Sequence, residues 1–193
     1  MKKIVPKNAY LVPKEAKLMF KGMIYDTYQW QQKLFDGSYH TFEMLKRPDI
    51  GTAIAVKDDK IVIVKQLQPQ WEKPRYTMPG GRAEPDETGL DAAKREAHEE
   101  TGMSFKSWKL LDVVQNHEKI ECFHYVYLAT GFERQDEIHQ DAGEQIEIEL
   151  MDYEEVMRLS AGEPRLEKFI FEKYKTMDEL LKAPVFEGKE VEV

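Results

Sequence analysis

The sequence predicts an α+β fold in which helices cover a mixed β-sheet, and three observations support this class. Residues 50–56 and 60–67 read "IGTAIAV" and "KIVIVKQL", two apolar runs of strand length separated by the turn-forming pair Asp58-Asp59. Residues 88–101 have a helical pattern, with a threonine at its start and a glycine directly after its end. Two further helical patterns come only after residue 151. Strands that surround few helices are typical of this fold class.

The other elements follow from the same patterns. Strands are predicted at 105–115, 121–130 and 146–151, and helices at 152–161 and 164–182. The segment 68–81 is rich in proline and glycine, so it is predicted to be mainly loop. Residues 131–145 are predicted to be a polar loop, of which residues 133–145 are long and polar enough to form a lid over a site.

The chain is predicted to have an N-terminal appendage before its main domain. Residues 1–20 contain two prolines and five lysines and are expected to form an irregular arm. Asp36-Gly37, between aromatic and apolar alternations, predicts a β-hairpin. We therefore divide the chain into an arm and hairpin at 1–48, a main domain at 49–183 and a loose C-terminal tail at 184–193.

Composition excludes several classes of protein. The 193 residues are 41% hydrophobic, which is enough for a core, and carry a net charge of −8, which disfavours non-specific binding to nucleic acid. Cys122 is the only cysteine, which favours a reducing compartment. We find no signal-peptide pattern and no run near the ~18 apolar residues needed to span a bilayer. These features predict a soluble, cytoplasmic protein without a membrane partner.

The helix predicted at 88–101 carries an unusual concentration of acids. At 100° per residue, Glu96, Glu99 and Glu100 form a stripe about 100° wide beside an apolar stripe that includes Ala93 and Ala97. Carboxylates this close repel one another unless a cation lies between them, and Mg²⁺ prefers such oxygen ligands. The alternative is a solvated acidic face, which is the usual meaning of a charge run.

The exact spacing of these residues resembles the Nudix box, the motif of the Nudix hydrolases. It agrees at every fixed position over 23 residues, and two of its positions are aliphatic. The matching residues are Gly81, Glu87, Arg95, Glu96, Ala97, Glu99, Glu100, Gly102 and Met103.

The resemblance implies a Nudix fold, an α/β/α sandwich with a central mixed sheet. It also implies hydrolysis, dependent on Mg²⁺ or Mn²⁺, of a nucleoside diphosphate linked to another moiety. Glu96, Glu99 and Glu100 would be metal ligands, completed by the Gly80 carbonyl. The same resemblance pairs Arg95 with Glu87, which would hold the loop against the helix, and it leaves His98 facing solvent.

Residues 25–69 are similar to the ADP-ribose and nucleoside-diphosphate-sugar pyrophosphatases. This similarity implies that the hairpin helps to build a homodimer and that Arg47 binds substrate. Gln68 stands where that group has a phosphate-binding arginine, and Thr77 stands where it commonly has a glutamate. Arg75 and Arg82 are candidates to supply the missing positive charge.

Other candidates lie outside the box. The resemblance suggests Glu144 as the general base, with Glu147 second, although both are equally compatible with an acidic surface loop. Tyr28 and Trp30 alternate on the hairpin and either stack on a nucleobase or pack within the sheet. Trp71 is a similar candidate. His117, His124 and His139 have no metal-site spacing, so no function is predicted for them.

The sequence is compatible with three alternatives. The first concerns the substrate, which is expected to be ADP-ribose or a nucleotide sugar but is alternatively another Nudix substrate, such as a dinucleoside polyphosphate, a nucleoside triphosphate or a capped RNA end. A module that senses nucleotide sugars without cleaving them is a second class, although such modules generally have a degraded box. A purely structural acidic helix is the third.

Overall fold

The computed structural model of the protein describes residues 2–138 and 145–192. Its central sheet has the strand order β12-β6-β5-β11-β9, in which β5 and β11 are parallel and the other neighbours are antiparallel. These strands are β5 (Ile50–Lys57), β6 (Lys60–Leu67), β9 (Met103–Val114), β11 (His124–Gln135) and β12 (Gln145–Met151). The prediction of a mixed sheet is confirmed.

The two central strands β5 and β6 diverge, and this opening positions the candidate site. They pair only at the turn, through Val56 with Ile61 and Lys57 with Lys60. Beyond that point two short strands fill the gap: β7 (Arg75–Thr77) pairs with β6, and β8 (Gly80–Arg82) pairs with β5. The proline- and glycine-rich segment therefore lies inside the sheet.

Helices cover both faces of the sheet, as expected for an α/β/α sandwich. Because strand side chains alternate between faces, Ala53 and Ala55 contact the buried Ala97 of α1, while Ile54 packs on the opposite face with Ile170 of α3. The helices are α1 (Gly89–Thr101), α2 (Tyr153–Ser160), α3 (Lys168–Lys173) and α4 (Met177–Leu181). Within the described ranges, no helix has the length and apolar character needed to cross a membrane.

The predicted N-terminal hairpin is present and is joined to the main domain. It consists of β3 (Asp26–Lys33) and β4 (Tyr39–Lys46), and its turn contains Gly37 at a φ of +88°. A short strand, β10 (Ile120–Glu121), leaves the main domain and pairs in parallel with β4. The boundary at residue 48 stays a prediction.

The expectations of an irregular arm and a loose tail were wrong in part. The arm contains β1 (Lys2–Val5) and β2 (Lys17–Lys21), and the tail contains β13 (Lys189–Glu192). β1 and β13 pair with each other in antiparallel register, so each supplies the hydrogen-bonding edge that the other needs. This pairing joins the two ends of the chain and is invisible to any local sequence pattern.

The single helix predicted at 164–182 was also wrong. The chain forms a 3₁₀ turn at Pro164–Leu166, then α3, then α4. Glu167 has a left-handed backbone, with a φ of +51°, which ends the first turn, and the Thr176 side chain caps α4 by accepting a hydrogen bond from the Glu179 N–H. Leu166 and Ile170 are nevertheless buried as the apolar pattern predicts.

Candidate active site

The acidic helix begins and ends where the sequence predicts, which fixes the direction of each glutamate. The Thr88 side chain accepts a hydrogen bond from the Asp91 N–H at 3.2 Å, and the Thr88 N–H donates to Asp91 Oδ2 at 3.0 Å. This reciprocal pair is a capping box. At the other end, Gly102 has a φ of +69° and donates its N–H to the His98 carbonyl at 2.7 Å.

The helix lies against the two glycines that fill the gap in the sheet. Glu100 is only 7% exposed, and its Oε2 accepts a hydrogen bond from the Gly80 N–H at 2.9 Å. The Glu96 carboxylate lies so close to Gly81 that a Cβ there would collide with it. The structure thus brings together two of the predicted metal ligands and the glycine backbone.

Arg95 lies at the centre of a cluster of carboxylates. Its Nε donates to Glu87 Oε1 at 2.9 Å and its Nη2 to Glu87 Oε2 at 3.1 Å. Its Nη1 donates to both Glu96 Oε1 at 2.9 Å and Glu99 Oε2 at 3.0 Å. The hydrogen bonds from Arg95 hold the pKa of Glu87 below its usual value, and those carboxylates in turn raise the pKa of Arg95. The contact between Arg95 and Glu87 that the resemblance implies is therefore present.

The donor set at this cluster fits a hard divalent cation. Glu96 and Glu99 both contact one guanidinium nitrogen of Arg95, so a positive charge already offsets part of the repulsion within the acidic stripe. Carboxylate oxygens with a nearby glycine backbone are the ligand types that Mg²⁺ and Mn²⁺ prefer. Within residues 2–138 and 145–192, no three His, Cys, Asp or Glu side chains already stand at metal-binding geometry. At Gly80 it is the N–H that contacts Glu100, and the role of its carbonyl stays a prediction.

A cavity of about 630 Å³ opens where β5 and β6 diverge. Gly80 belongs to both regions, because it lines the cavity while its N–H binds Glu100. The polar or charged residues around the cavity include Arg47, Thr52, Asn116, His124, Arg165 and Glu167. The cavity therefore adjoins the glutamate cluster at Gly80.

The interior of this cavity carries a buried acid, Glu167, next to a partly buried histidine, His124. His124 Nε2 lies 2.7 Å from Thr52 Oγ1 and 3.4 Å from Glu167 Oε1. Burial raises the pKa of Glu167 to about 8 and lowers the pKa of His124 to about 4. Because both shifts disfavour the charged form, the two groups face each other as neutral groups near pH 6.

Positive charge stands at the rim of the cavity. Arg47 packs against the Tyr25 ring at 5.5 Å, and its Nε is buried without a hydrogen-bond partner in the described part of the chain. Arg165 lines the cavity, and its guanidinium group lies 4.9 Å from the Trp71 ring. Arg75 lies 4.8 Å from the same ring but is not among the described lining residues. Cations of this kind are suited to hold a phosphorylated ligand.

Some predicted substrate residues lie elsewhere. Trp30 packs against Phe42, with ring centroids 6.0 Å apart, and Gln68 lies behind the cavity wall and donates to Gln66 at 3.1 Å. Arg82 contributes its backbone carbonyl, which accepts from Arg95 at 3.0 Å. Trp30, Gln68 and Arg82 are not among the described residues that line this cavity or its neighbour. Tyr28 lines that neighbour, a cavity of about 410 Å³ that shares Arg47.

The two candidate bases differ in what the structure describes. Glu144 lies outside the described residues. Glu147 lies on β12, where its Oε2 accepts from Lys65 Nζ at 2.8 Å, and its side chain is 70% exposed. An exposed pair of this kind at a sheet edge is typical of surface electrostatics.

Sequence reasoning missed His124, Arg165 and Glu167. His124 was assigned to a strand without a function, and the other two fell inside a predicted helix. His124 reaches the cavity because β11 pairs in parallel with β5, which places it opposite Ile50 and near Thr52. No local pattern reports a pairing between positions so distant in sequence, so only the fold reveals these residues.

Comparison with known proteins identifies a family and a relative that this chain resembles. Residues 45–172 match the NUDIX domain family. A curated relative, the ADP-ribose pyrophosphatase of Bacillus subtilis (strain 168), is 34% identical over 89 residues, which are 46% of this chain and 48% of that protein. The match thus spans about half the length of the curated relative.

Two solved structures share the fold. A crystal structure of an ADP compounds hydrolase has a TM-score of 0.63 at 14% identity, over 87% of this chain and 89% of that one. A NUDIX hydrolase from Nitrosomonas europaea has a TM-score of 0.52 at 20% identity, over 68% of this chain and 93% of that one. Because the NUDIX match covers more than half of the chain and contains the whole carboxylate cluster, this chain belongs to the Nudix family.

Proposed function

We propose that the protein hydrolyses the diphosphate bond of a nucleoside diphosphate linked to another moiety, either ADP-ribose or a nucleotide sugar. The products are a nucleoside monophosphate and a sugar phosphate. One observation carries the proposal: the intact cluster around Arg95 lies beside a polar cavity with arginines at its rim, and Gly80 belongs to both. A diphosphate placed at Gly80 would thus have its attached group in the cavity.

Glu96, Glu99 and Glu100 are the residues that would hold Mg²⁺ or Mn²⁺. When bound, the metal supplies a Lewis acid for the diphosphate and a bound water of lowered pKa. The chain itself supplies the positioning of these acids. Arg95 Nη1 donates to both Glu96 and Glu99 and so holds the two carboxylates close together, while the bidentate contact of Arg95 with Glu87 fixes the loop that precedes the helix.

The chain also supplies groups for binding and proton transfer. Arg47 has a buried Nε without a described partner, which is costly unless a ligand oxygen accepts from it. We assign it to the substrate phosphates. Glu144 remains the proposed acceptor of the proton from the attacking water, with the glutamates of the box as the alternative.

The choice of an ADP-containing substrate rests on relatives rather than on geometry. The relative that is 34% identical is named ADP-ribose pyrophosphatase, and the structural neighbour at a TM-score of 0.63 is named ADP compounds hydrolase. Those names describe those proteins. For this chain, Gln68 and Thr77 differ from the residues usual in the ADP-ribose group, which is why nucleotide sugars stay within the proposal.

We further propose that the protein is a cytoplasmic homodimer built through its N-terminal hairpin sheet. The sheet and its hairpin turn expose several large apolar side chains: Leu18 at 47%, Met19 at 58%, Phe20 at 64%, Phe35 at 114% and Tyr39 at 60%. Several exposed apolar side chains on one small sheet support a protein–protein interface there. A second copy of the same sheet would bring the same apolar side chains to the other side of the interface.

A substrate panel tests the proposed hydrolysis. Purified protein is incubated with Mg²⁺ and ADP-ribose, nucleotide sugars, dinucleoside polyphosphates or nucleoside triphosphates, and the nucleotide products are separated and measured by chromatography. We expect turnover of ADP-ribose or of a nucleotide sugar above that of the other two classes. Preference for a triphosphate, or silence across the panel while metal still raises the melting temperature, would contradict the proposal.

A further inference from the structure

The break in the predicted C-terminal helix delivers two side chains to the cavity. Glu167 has φ and ψ of +51° and +48°, a left-handed conformation that a non-glycine residue adopts only at a cost. On either side of the fully buried Leu166, Arg165 and Glu167 line the cavity. The Met78 N–H donates to the Arg165 carbonyl at 3.4 Å, which ties this turn to the loop that leads to Gly80.

Glu167 is a buried carboxyl with unused hydrogen-bonding capacity. Among the described residues its carboxyl reaches only His124, at 3.4 Å, which is longer than an ordinary hydrogen bond. His124 already has Thr52 at 2.7 Å. A carboxyl group offers about four positions for hydrogen bonds, and buried polar groups are normally satisfied. Because Glu167 also lines the cavity, a ligand there is in position to satisfy it.

Arg165 provides a positive charge beside this carboxyl. One face of its guanidinium group stacks on Trp71 at 4.9 Å, which limits its freedom while the N–H edge stays available for an anion. Gln68, by contrast, donates to Gln66 and carries no charge. Arg165 therefore brings to this cavity the kind of positive charge that Gln68 lacks.

We propose that Arg165 and Glu167 form a subsite for the non-nucleoside half of the substrate, a phosphorylated sugar, with Arg165 on its phosphate and Glu167 on its hydroxyl groups. The assignment rests on the proposed function. A sugar fits better than a nucleobase because five of the twelve described lining residues carry a hydroxyl, amide or carboxyl side chain, and Phe169 is the only Phe, Tyr or Trp among them. Recognition of hydroxyl groups by a buried polar residue gives strong discrimination, since an analogue without them leaves that residue unpaired.

A titration without turnover tests this subsite. Ribose 5-phosphate and methyl phosphate are titrated into the protein by calorimetry, since they share a phosphate and differ in hydroxyl groups. We expect the wild type to bind ribose 5-phosphate about tenfold or more tightly than methyl phosphate. Glu167→Ala should abolish this preference, and Arg165→Ala should lower the affinity for both ligands. Glu172→Ala, at an exposed glutamate on α3, is the matched control and should change neither.

The outcomes separate the subsite from the proposed hydrolysis. Equal binding of the two ligands by the wild type, no binding of either, or an unchanged preference in Glu167→Ala would overturn the subsite. In each of these cases, turnover on the substrate panel would still support the proposed hydrolysis. If Glu167→Ala does not fold, Glu167→Asn replaces it, because asparagine tolerates the left-handed backbone while its shorter side chain withdraws from the ligand. Loss of the preference in that variant supports the subsite.

Discussion

The Glu100 carboxylate accepts a hydrogen bond from the Gly80 N–H at 2.9 Å, which joins the acidic helix to the loop inside the sheet. The two residues are 20 positions apart in sequence. Glu100 is 7% exposed, so an ionised form needs both this hydrogen bond and a nearby positive charge. The contact makes Glu100 the point where the acidic face of the helix meets Gly80, which lines the cavity of about 630 Å³.

Glu100→Gln is expected to abolish most turnover while the protein stays folded. The amide keeps the shape of the side chain but removes the charge that a divalent cation requires. We expect a loss of more than about 100-fold in kcat, because mutation of groups that merely support a metal ligand costs about 10- to 100-fold. Steady-state kinetics and a Mg²⁺-dependent melting curve check this.

Glu118→Gln, at an exposed position in the loop before β10, is the control and should keep wild-type activity. Unchanged activity in Glu100→Gln would reject the assignment of the metal site.

Gly81→Ala is expected to damage the site through the position of Glu96. A Cβ at residue 81 would collide with the Glu96 carboxylate, so the carboxylate has to move from its place beside Arg95. We expect kcat to fall about tenfold or more, since small displacements of positioned groups have large effects on rate. Gly162→Ala is the matched control, because the nearest atom to a Cβ there, the Leu159 carbonyl oxygen, lies at an ordinary contact distance of 3.9 Å. Equal activity of the two variants would show that Glu96 is not needed where the structure places it.

Arg95→Lys is expected to lower both stability and activity. Lysine keeps the charge but cannot reproduce the two-point contact with Glu87 or reach Glu96 and Glu99 at the same time. Loss of charge-assisted hydrogen bonds in a partly buried site should lower the free energy of unfolding by about 1–3 kcal/mol. Urea denaturation measures this loss. A variant as stable as the wild type would mean that the cluster does not hold the loop.

Phe20→Glu is expected to dissociate a dimer that forms through the hairpin sheet. Phe20 is 64% exposed on β2, and a charge there would have to be buried at an apolar interface. Light scattering coupled to size-exclusion chromatography should report a dimer for the wild type and a monomer for this variant. Val185→Glu, at an exposed fraction of 61% outside that sheet, is the control and should stay dimeric. A monomeric wild type would refute the dimer.

The parts of the molecule that sequence predicted well are governed by local physics. Thr88, Asp91 and Gly102 define the limits of α1 through contacts within a few residues, and the periodicity of Ala93 and Ala97 gives its buried face. The order of the glutamates on that helix then follows from geometry alone. This is why the carboxylate cluster could be anticipated before the fold was known.

The parts that sequence missed depend on contacts between distant segments. The pairing of β1 with β13 joins the two ends of the chain, and the cavity residues come from four or more elements. At Glu167 the local helical pattern is overridden, since a left-handed residue stands inside an apolar repeat. Such conflicts between local preference and the fold are expected at functional sites. The proposed subsite lies at this position.

The pH dependence of stability offers a last check on Glu167. Its pKa in the folded protein is about 8, against 4.5 for an ordinary glutamate, because burial disfavours the ionised form. The unfolded chain therefore releases this proton at lower pH than the folded protein does. Stability should fall as pH rises from about 4.5 to about 8, and the loss is complete above that.

The comparison of wild type with Glu167→Gln is best made between pH 6.5 and 8.5. His124, whose pKa burial lowers to about 4, is neutral in the folded protein across this range. We expect the wild type to lose about 2 kcal/mol of unfolding free energy relative to the variant over this interval. Chemical denaturation at several pH values measures the difference. Parallel profiles would show that Glu167 is ionised in the folded protein, which would contradict the neutral pair with His124.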